Sequence, residues 1–310
     1  MLRASLLWLS EQPRVFRFVR KNSLAWRFAS RFVAGETIDT ALQAVRELNA
    51  ARISATLDLL GESVTSAAEA SAARDTYLEL LDRIHTARAD SNVSVKLTQL
   101  GLDVDEPACL EHLRAIVARA RQHGSFVRID MEGSAYTART LGVFRETLHP
   151  AFDNAVGVVL QSYLRRTERD VDDMIALGAR VRLCKGAYKE PATVAFPEKK
   201  DVDANYVACL ERLLARGTYP ALATHDERLI AIAKAFVRTK GIAADRFEFQ
   251  MLYGVRRDLQ RGLRAEGYNV RVYVPFGGHW YPYLMRRLAE RPANIGFILS
   301  SVLKESVRGG

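Results

Sequence analysis

From about residue 50 onward, short strand-like runs alternate with stretches of helical periodicity. The runs are 53–59, 93–97, 126–130, 156–161, 180–184, 221–224, 246–250 and 270–274. In one intervening stretch Cys109, Leu110, Leu113, Ile116, Val117 and Ala120 share a helical face; in another Tyr206, Leu210 and Leu213 do. Eight strands alternating with helices over ~250 residues predict an α/β fold, a (β/α)8 TIM-like barrel. The competing architecture is a doubly wound open sheet. It is weakened by the absence of a Gly-x-Gly-x-x-Gly turn after the first strand, and no Walker-type phosphate loop appears.

A chain of 310 residues has room for one barrel and an extension, so the expected organisation is an N-terminal helical segment, 1–50, and a catalytic barrel, 51–310. Residues 1–33 carry seven Lys/Arg, one acid (Glu11) and six aromatics, Trp8, Phe16, Phe18, Trp26, Phe28 and Phe32. That pattern suits either a basic interfacial helix on anionic lipid or a helix packed on the main domain. An organellar transit peptide is a third option. Gly35 is a plausible break. The net charge of +9 favours an acidic partner: a phosphate-bearing cofactor, a membrane surface or nucleic acid. Cys109, Cys184 and Cys209 lack metal-ligand spacing and cannot all pair internally, which fits a reducing compartment. No apolar run reaches transmembrane length.

In a (β/α)8 barrel the C-terminal strand ends line the active site. Here those ends carry Lys96, then Asp130-Met-Glu132, Gln161, Arg182 running into Lys185-Gly-Ala-Tyr188, Thr224-His225, Gln250 and Tyr273. Burying so many polar groups unpaired is costly, so their convergence reads as a site. After the eighth strand comes a tight turn, Phe276-Gly-Gly278, and a helix from His279 that carries Arg286, Arg287 and Glu290. Two planar guanidiniums can grip a small carboxylate bidentately, and Glu290 at i+4 and i+3 can orient them. Cations outnumber acids across the set, and Lys185-Gly186-Ala187 would let the backbone approach a phosphate. His225-Asp-Glu227 has no second His for a metal and reads as a helix start. No metal site and no Ser–His–Asp arrangement stands out. By strand parity Arg128, Glu248 and Arg271 also point inward, which predicts an ionic layer joining all three.

Taken in order, several motifs resemble one family, proline dehydrogenase, in its single-function bacterial form. They are Asp58-Leu-Leu-Gly-Glu62, Val93-Ser-Val-Lys-Leu97, Arg128-Ile-Asp-Met-Glu132, Arg182-Leu-Cys-Lys-Gly-Ala-Tyr188, Ala223-Thr-His225, Phe247-Glu-Phe-Gln-Met-Leu-Tyr-Gly254, Arg271-Val-Tyr-Val-Pro275, and Arg286-Arg287 with Glu290. The resemblance runs from about Leu57 to Leu299 and fits segment 1–50 only loosely. It implies a distorted barrel holding FAD non-covalently and oxidising L-proline to Δ1-pyrroline-5-carboxylate by hydride transfer to flavin N5.

Carried onto this chain, the resemblance implies that Arg286 and Arg287 bind the proline carboxylate, with Lys96 as a third cation and Glu290 as orienter. Tyr273 would close over the proline ring, Arg182 would sit by flavin N5, and Asp130 would be the acidic catalytic residue. Met131, Gln161, Lys185, Gly186, Ala187, Thr224 and His225 would contact FAD, and Glu62 would act as a gate. It further implies a membrane quinone as electron acceptor, a separate pyrroline-5-carboxylate dehydrogenase for the next step, no nucleic-acid partner, and a cytoplasmic enzyme or one peripheral on the inner face of the membrane. Rival readings are an FAD barrel like methylenetetrahydrofolate reductase, and a non-enzymatic basic protein that binds membrane or nucleic acid.

Overall fold

The structure, a computed structural model, describes residues 29–290, with the helical backbone alone given for 286–290. Most of the basic segment 1–33 and the chain beyond 290 therefore lie outside the described residues. Eight parallel strands close into a barrel in sequential order. They are β1 (Ser54–Leu59), β2 (Ser91–Val95), β3 (Val127–Ile129), β4 (Val156–Gln161), β5 (Arg180–Cys184), β6 (Ala221–Ala223), β7 (Glu248–Leu252) and β8 (Asn269–Phe276). The open-sheet alternative is ruled out by the last pairing, in which β8 runs beside β1 with Ser54 opposite Arg271 and Thr56 opposite Tyr273. β2 and β4 are buried along their whole length, as strands covered on both faces must be.

The helices form the outer layer. Helix α1 (Ile38–Ala50) opens with a capping box, Thr37 and Thr40 each satisfying the other's backbone N–H. Its buried face, Ala41, Leu42, Ala44 and Val45, joins the same apolar core as the barrel strands and packs on β1 and β8. Then come α2 (Ala67–Thr86), α3 (Glu106–Gln122), α4 (Ser134–Val143), α5 (His149–Phe152), α6 (Thr167–Ala176), α7 (Lys199–Arg216), α8 (Glu227–Lys240), α9 (Arg257–Ala265) and α10 (Trp280–Glu290). The expected apolar faces are present: Cys109, Leu113, Ile116, Val117 and Ala120 are buried on α3, and Tyr206, Leu210 and Leu213 on α7. Burial pushes the Cys109 and Cys209 thiols up to about 12, so both stay protonated and unreactive.

Residues 29–36 brace the C-terminal rim. The Ala34 amide donates to the Pro275 carbonyl and the Gly277 amide to that of Gly35. Trp280 Nε1 donates to Glu36 at 2.9 Å. The start of α10 packs through Trp280, Tyr281, Tyr283, Leu284 and Met285 onto Ala29, Phe32, Val33 and Leu60. Gly254 is required here, because a Cβ on it would come within 1.8 Å of the Arg31 carbonyl oxygen.

Inside the barrel a polar ladder climbs from floor to rim. Arg271 donates through Nε to both oxygens of Glu248 at 3.0 Å and through Nη1 to the Ala55 carbonyl at 2.7 Å. Gln250 donates to Glu248 at 2.5 Å and accepts from Arg182 Nε at 2.6 Å. Arg182 Nη1 then donates to Asp130 at 2.7 Å. The expected three-member ionic layer is corrected: Glu248 and Arg271 form it, but Arg128 does not join. Its Nη1 donates instead to the carbonyls of Arg180 at 2.6 Å and Val158 at 3.2 Å. The Glu248 carboxylate is already shared by Arg271, by Gln250 and by Tyr219 Oη at 3.4 Å.

Candidate active site

Asp130 follows β3 directly and is the hub of the C-terminal rim. Its Oδ1 accepts from Ser94 Oγ at 2.6 Å and Arg182 Nη1 at 2.7 Å, and its Oδ2 accepts from Tyr273 Oη at 2.7 Å. Lys96 Nζ stands 3.9 Å from Oδ2 and donates to Asp58 Oδ1 at 2.8 Å. Burial pushes the Asp130 carboxyl up, but Arg182 and Lys96 more than offset that and hold it below the usual carboxylate range. Burial would likewise pull Lys96 down; Asp58 and Asp130 prevail and raise it, so it stays charged. Burial and the two neighbouring carboxylates push the Tyr273 phenol well up, so its hydroxyl is a donor at neutral pH. The Arg182 guanidinium lies over the Tyr273 ring, 5.2 Å from its centroid.

Lys96, Asp130, Arg182 and Tyr273 are thus one connected cluster. They come from β2, β3, β5 and β8, which only closure of the barrel makes neighbours. Asp58 belongs with them and was missed as a site residue, although it stands in the first motif. It ends β1, the one strand for which no polar end was assigned, and that gap was the available signal. Burial raises its carboxyl, partly countered by Lys96.

The remaining predicted residues occupy the same rim. Gln161 ends β4 and donates through Nε2 to the Met131 carbonyl at 3.1 Å. Thr224 and His225 follow β6; His225 Nε2 accepts from the Leu252 amide at 3.0 Å, which places the proton of the neutral ring on Nδ1. Asp226 caps α8 through the Arg228 amide, so the helix-start reading of this stretch holds. Lys185 Nζ is 2.6 Å from Asp203 and 3.0 Å from Asp226. Neither carboxylate was foreseen as its partner, because Asp203 lies on α7 and Asp226 at the cap of α8, 18 and 41 positions further along the chain. Burial raises both carboxyls, and the ion pairs with Lys185 bring them below the ordinary range.

Gly186 is required by its packing. With φ +103°, it lies against the Tyr163 ring, which a Cβ would meet at 2.2 Å. Ala187 beside it is exposed. Glu190 in the same loop was also missed. It accepts from the Ser134 amide at 2.7 Å and from the Ser134 hydroxyl, tying the β5–α7 loop to the start of α4. An irregular loop offers no periodicity from which to read such a tie. Glu62, in the loop after β1, is exposed and adds negative potential at Lys96. Arg286, Arg287 and Glu290 fall within α10, and their side chains lie outside the described residues.

Two buried polar atoms at this rim have no hydrogen-bond partner among the described residues: Arg182 Nη2, a donor, and Gln161 Oε1, an acceptor. A flavin ring edge presents both acceptors and a donor, so these atoms fit such a group. No group of three His, Cys, Asp or Glu suited to a metal ion occurs among the described residues, and no described helix is long and apolar enough to cross a membrane.

A family model described as proline dehydrogenase matches residues 41–299. Proline dehydrogenase from Deinococcus radiodurans is 44% identical over 307 residues, 98% of each chain. Proline dehydrogenase 1 from Bacillus subtilis is 42% identical over 98% of this chain and 100% of that one. Among solved structures, proline utilization A from Bdellovibrio bacteriovorus, inactivated by N-propargylglycine, superposes with a TM-score of 0.82 at 29% identity, covering 88% of this chain and 34% of that larger one. A closed barrel, a polar rim cluster and relatives matched end to end agree: the chain belongs to the proline dehydrogenase family, oxidoreductases of proline catabolism.

Proposed function

We propose that this enzyme binds FAD non-covalently at the C-terminal rim and oxidises L-proline to Δ1-pyrroline-5-carboxylate. The observation that carries the reading is the Asp130–Arg182–Tyr273–Lys96 cluster, in which charged groups are locked together beside unpartnered polar atoms. FAD, when bound, would supply the hydride acceptor at N5.

The protein's part is to orient and to stabilise charge. Arg286 and Arg287 would take the proline carboxylate bidentately, with Glu290 orienting them. Lys96, kept charged by Asp58, would add a third cationic contact. Tyr273, its hydroxyl held by Asp130, would close over the proline ring. Arg182 would lie beside N5, its orientation set by Asp130 on one side and Gln250 on the other. Met131, Gln161, Lys185, Gly186, Ala187, Thr224 and His225 would hold the cofactor, and Glu62 would close the site by pairing with Arg286. The barrel, 51–310, would be the catalytic unit. A membrane quinone would take the electrons, with segment 1–50 as the peripheral contact, and a separate pyrroline-5-carboxylate dehydrogenase would consume the product.

The test is the absorbance spectrum of the purified protein under anaerobic conditions. A yellow protein that bleaches on adding L-proline is expected; a colourless protein that takes up no FAD would refute the proposal.

A further inference from the structure

Three cations converge on one buried carboxylate beside the rim. Asp203 on α7, only 3% exposed, takes Lys185 Nζ at 2.6 Å, Arg228 Nη2 at 2.8 Å and Lys199 Nζ. Asp226 takes Lys185 at 3.0 Å and stands 3.8 Å from Lys199. Three cations thus share two carboxylates. Glu227, next in sequence to Asp226, is committed to Arg256 at 2.6 Å.

The three cations are not equivalent. Lys185 is held between both carboxylates, so its charge is matched before any ligand arrives. It cannot alone be the counter-charge of a phosphate. Lys199 opens α7 and Arg228 lies in the first turn of α8, and their side chains are 73% and 64% exposed. Arg228 gives one Nη2 N–H to Asp203; its Nε and Nη1 have no hydrogen-bond partner among the described residues. The positive charge open to a ligand therefore sits on Lys199 and Arg228.

The cluster adjoins the residues read as cofactor contacts. The Asp226 amide donates to Thr224 Oγ1 at 3.0 Å. Lys185 follows Arg182 by three residues, a stretch that spans at most ~11 Å. All the negative charge of FAD lies on its diphosphate, which the ribityl chain sets apart from the ring. Ring and charge must be held in different places.

We propose that Lys199 and Arg228 clasp the diphosphate of the cofactor, with Asp203 the positioning residue that holds both side chains at one point. The inference rests on the reading that the rim binds FAD, and adds two residues to it. Lys199 supplies a point charge, and Arg228 the planar N–H groups that pair with phosphate oxygens. Two long side chains gathered on Asp203 beforehand lose less freedom when the cofactor arrives.

Calorimetric titration of the full-length protein, freed of flavin, with FAD and with riboflavin tests this. Lys199→Met and Arg228→Met should each raise the FAD Kd about 5- to 20-fold, and together roughly 100-fold. Riboflavin, which has no phosphate, should bind all of these proteins equally. Added salt should weaken FAD binding more steeply in the unaltered protein than in the double variant. Unchanged FAD affinity in the double variant would overturn the proposal. So would an equal weakening for riboflavin, the mark of a rim loosened as a whole. An unaltered protein that takes up no FAD fails the underlying reading and the clasp with it, a different outcome from FAD bound equally by all variants. Should the flavin-free protein not stay folded, the flavin kept by each holoprotein after dialysis against high salt reads the same contact; equal retention by the double variant and the unaltered protein would overturn the clasp.

Discussion

Asp130 offers the sharpest test of how the rim cluster works. Its carboxylate receives three hydrogen bonds of 2.6–2.7 Å, from Ser94, Arg182 and Tyr273, with Lys96 a further 3.9 Å away. In Asp130→Ala the Arg182 guanidinium, 6% exposed, loses its only carboxylate partner among the described residues. Breaking one side of a buried ion pair costs about 3–5 kcal/mol. Asp130→Asn is a finer probe. An amide oxygen at the Oδ1 position keeps the Ser94 and Arg182 bonds, and Tyr273 Oη can rotate to accept from the amide nitrogen. What goes is charge assistance, so the expected loss is about 1.5–3 kcal/mol.

Urea unfolding of the three proteins gives these stabilities directly. Anaerobic flavin reduction by proline reads the consequence for catalysis: with Arg182 and Tyr273 no longer pinned, kcat/KM should fall by roughly 100-fold or more in the Ala variant, and less in Asn. If both variants lie within about 0.5 kcal/mol of the parent and reduce the flavin at the parent rate, the hub assignment is wrong.

Arg286→Ala should raise the KM for proline roughly 10- to 1,000-fold, from losing a charged contact of ~2–4 kcal/mol, in steady-state assays; an unchanged KM refutes the carboxylate clamp. Gly186→Ala should displace the Lys185 loop, because its Cβ would collide with Tyr163 at 2.2 Å in a backbone conformation that disfavours alanine; weaker flavin retention on gel filtration is the readout. The pH dependence follows from Glu248. Burial alone would raise its carboxyl, but Arg271 and Gln250 hold it below the ordinary value. The unfolded chain therefore binds this proton first as pH falls. The stability Glu248 confers is complete above about pH 5 and is lost as pH drops through the ordinary carboxylate range, about 4, and below. Glu248→Gln should flatten the fall in urea midpoint between about pH 5 and pH 3.

Much of the barrel is written in local pattern. Strand candidates 156–161 and 180–184 match the observed strands residue for residue: 156–161 is an apolar run buried throughout, as a parallel strand covered on both faces is, and in 180–184 Arg180 and Arg182 alternate with Val181 and Leu183. The polar residues at their ends were legible for the converse reason, since an apolar run that stops at Lys, Asp or Gln marks where the core stops. Partnership was not legible. Asp58 lay inside the expected strand 53–59, but its partner appeared only when β1 closed against β2 and set it 2.8 Å from Lys96. Lys185, read as a charge for phosphate, turned out to stand between Asp203 and Asp226. Strand parity correctly placed Arg128, Glu248 and Arg271 inside, but Glu248 is shared by Arg271, Gln250 and Tyr219, and Arg128 donates to the carbonyls of β4 and β5.

Periodicity and strand-end chemistry are properties of neighbours along the chain, and by themselves they determined the element order, the barrel class and the rim as the site. Which carboxylate neutralises which cation depends on contacts between residues far apart in the chain, 38 positions for Lys96 and Asp58 and 52 for Arg182 and Asp130. Those distances are set only when β8 closes on β1 and the outer helices pack, so the charge balance of the rim was decided by the tertiary structure alone.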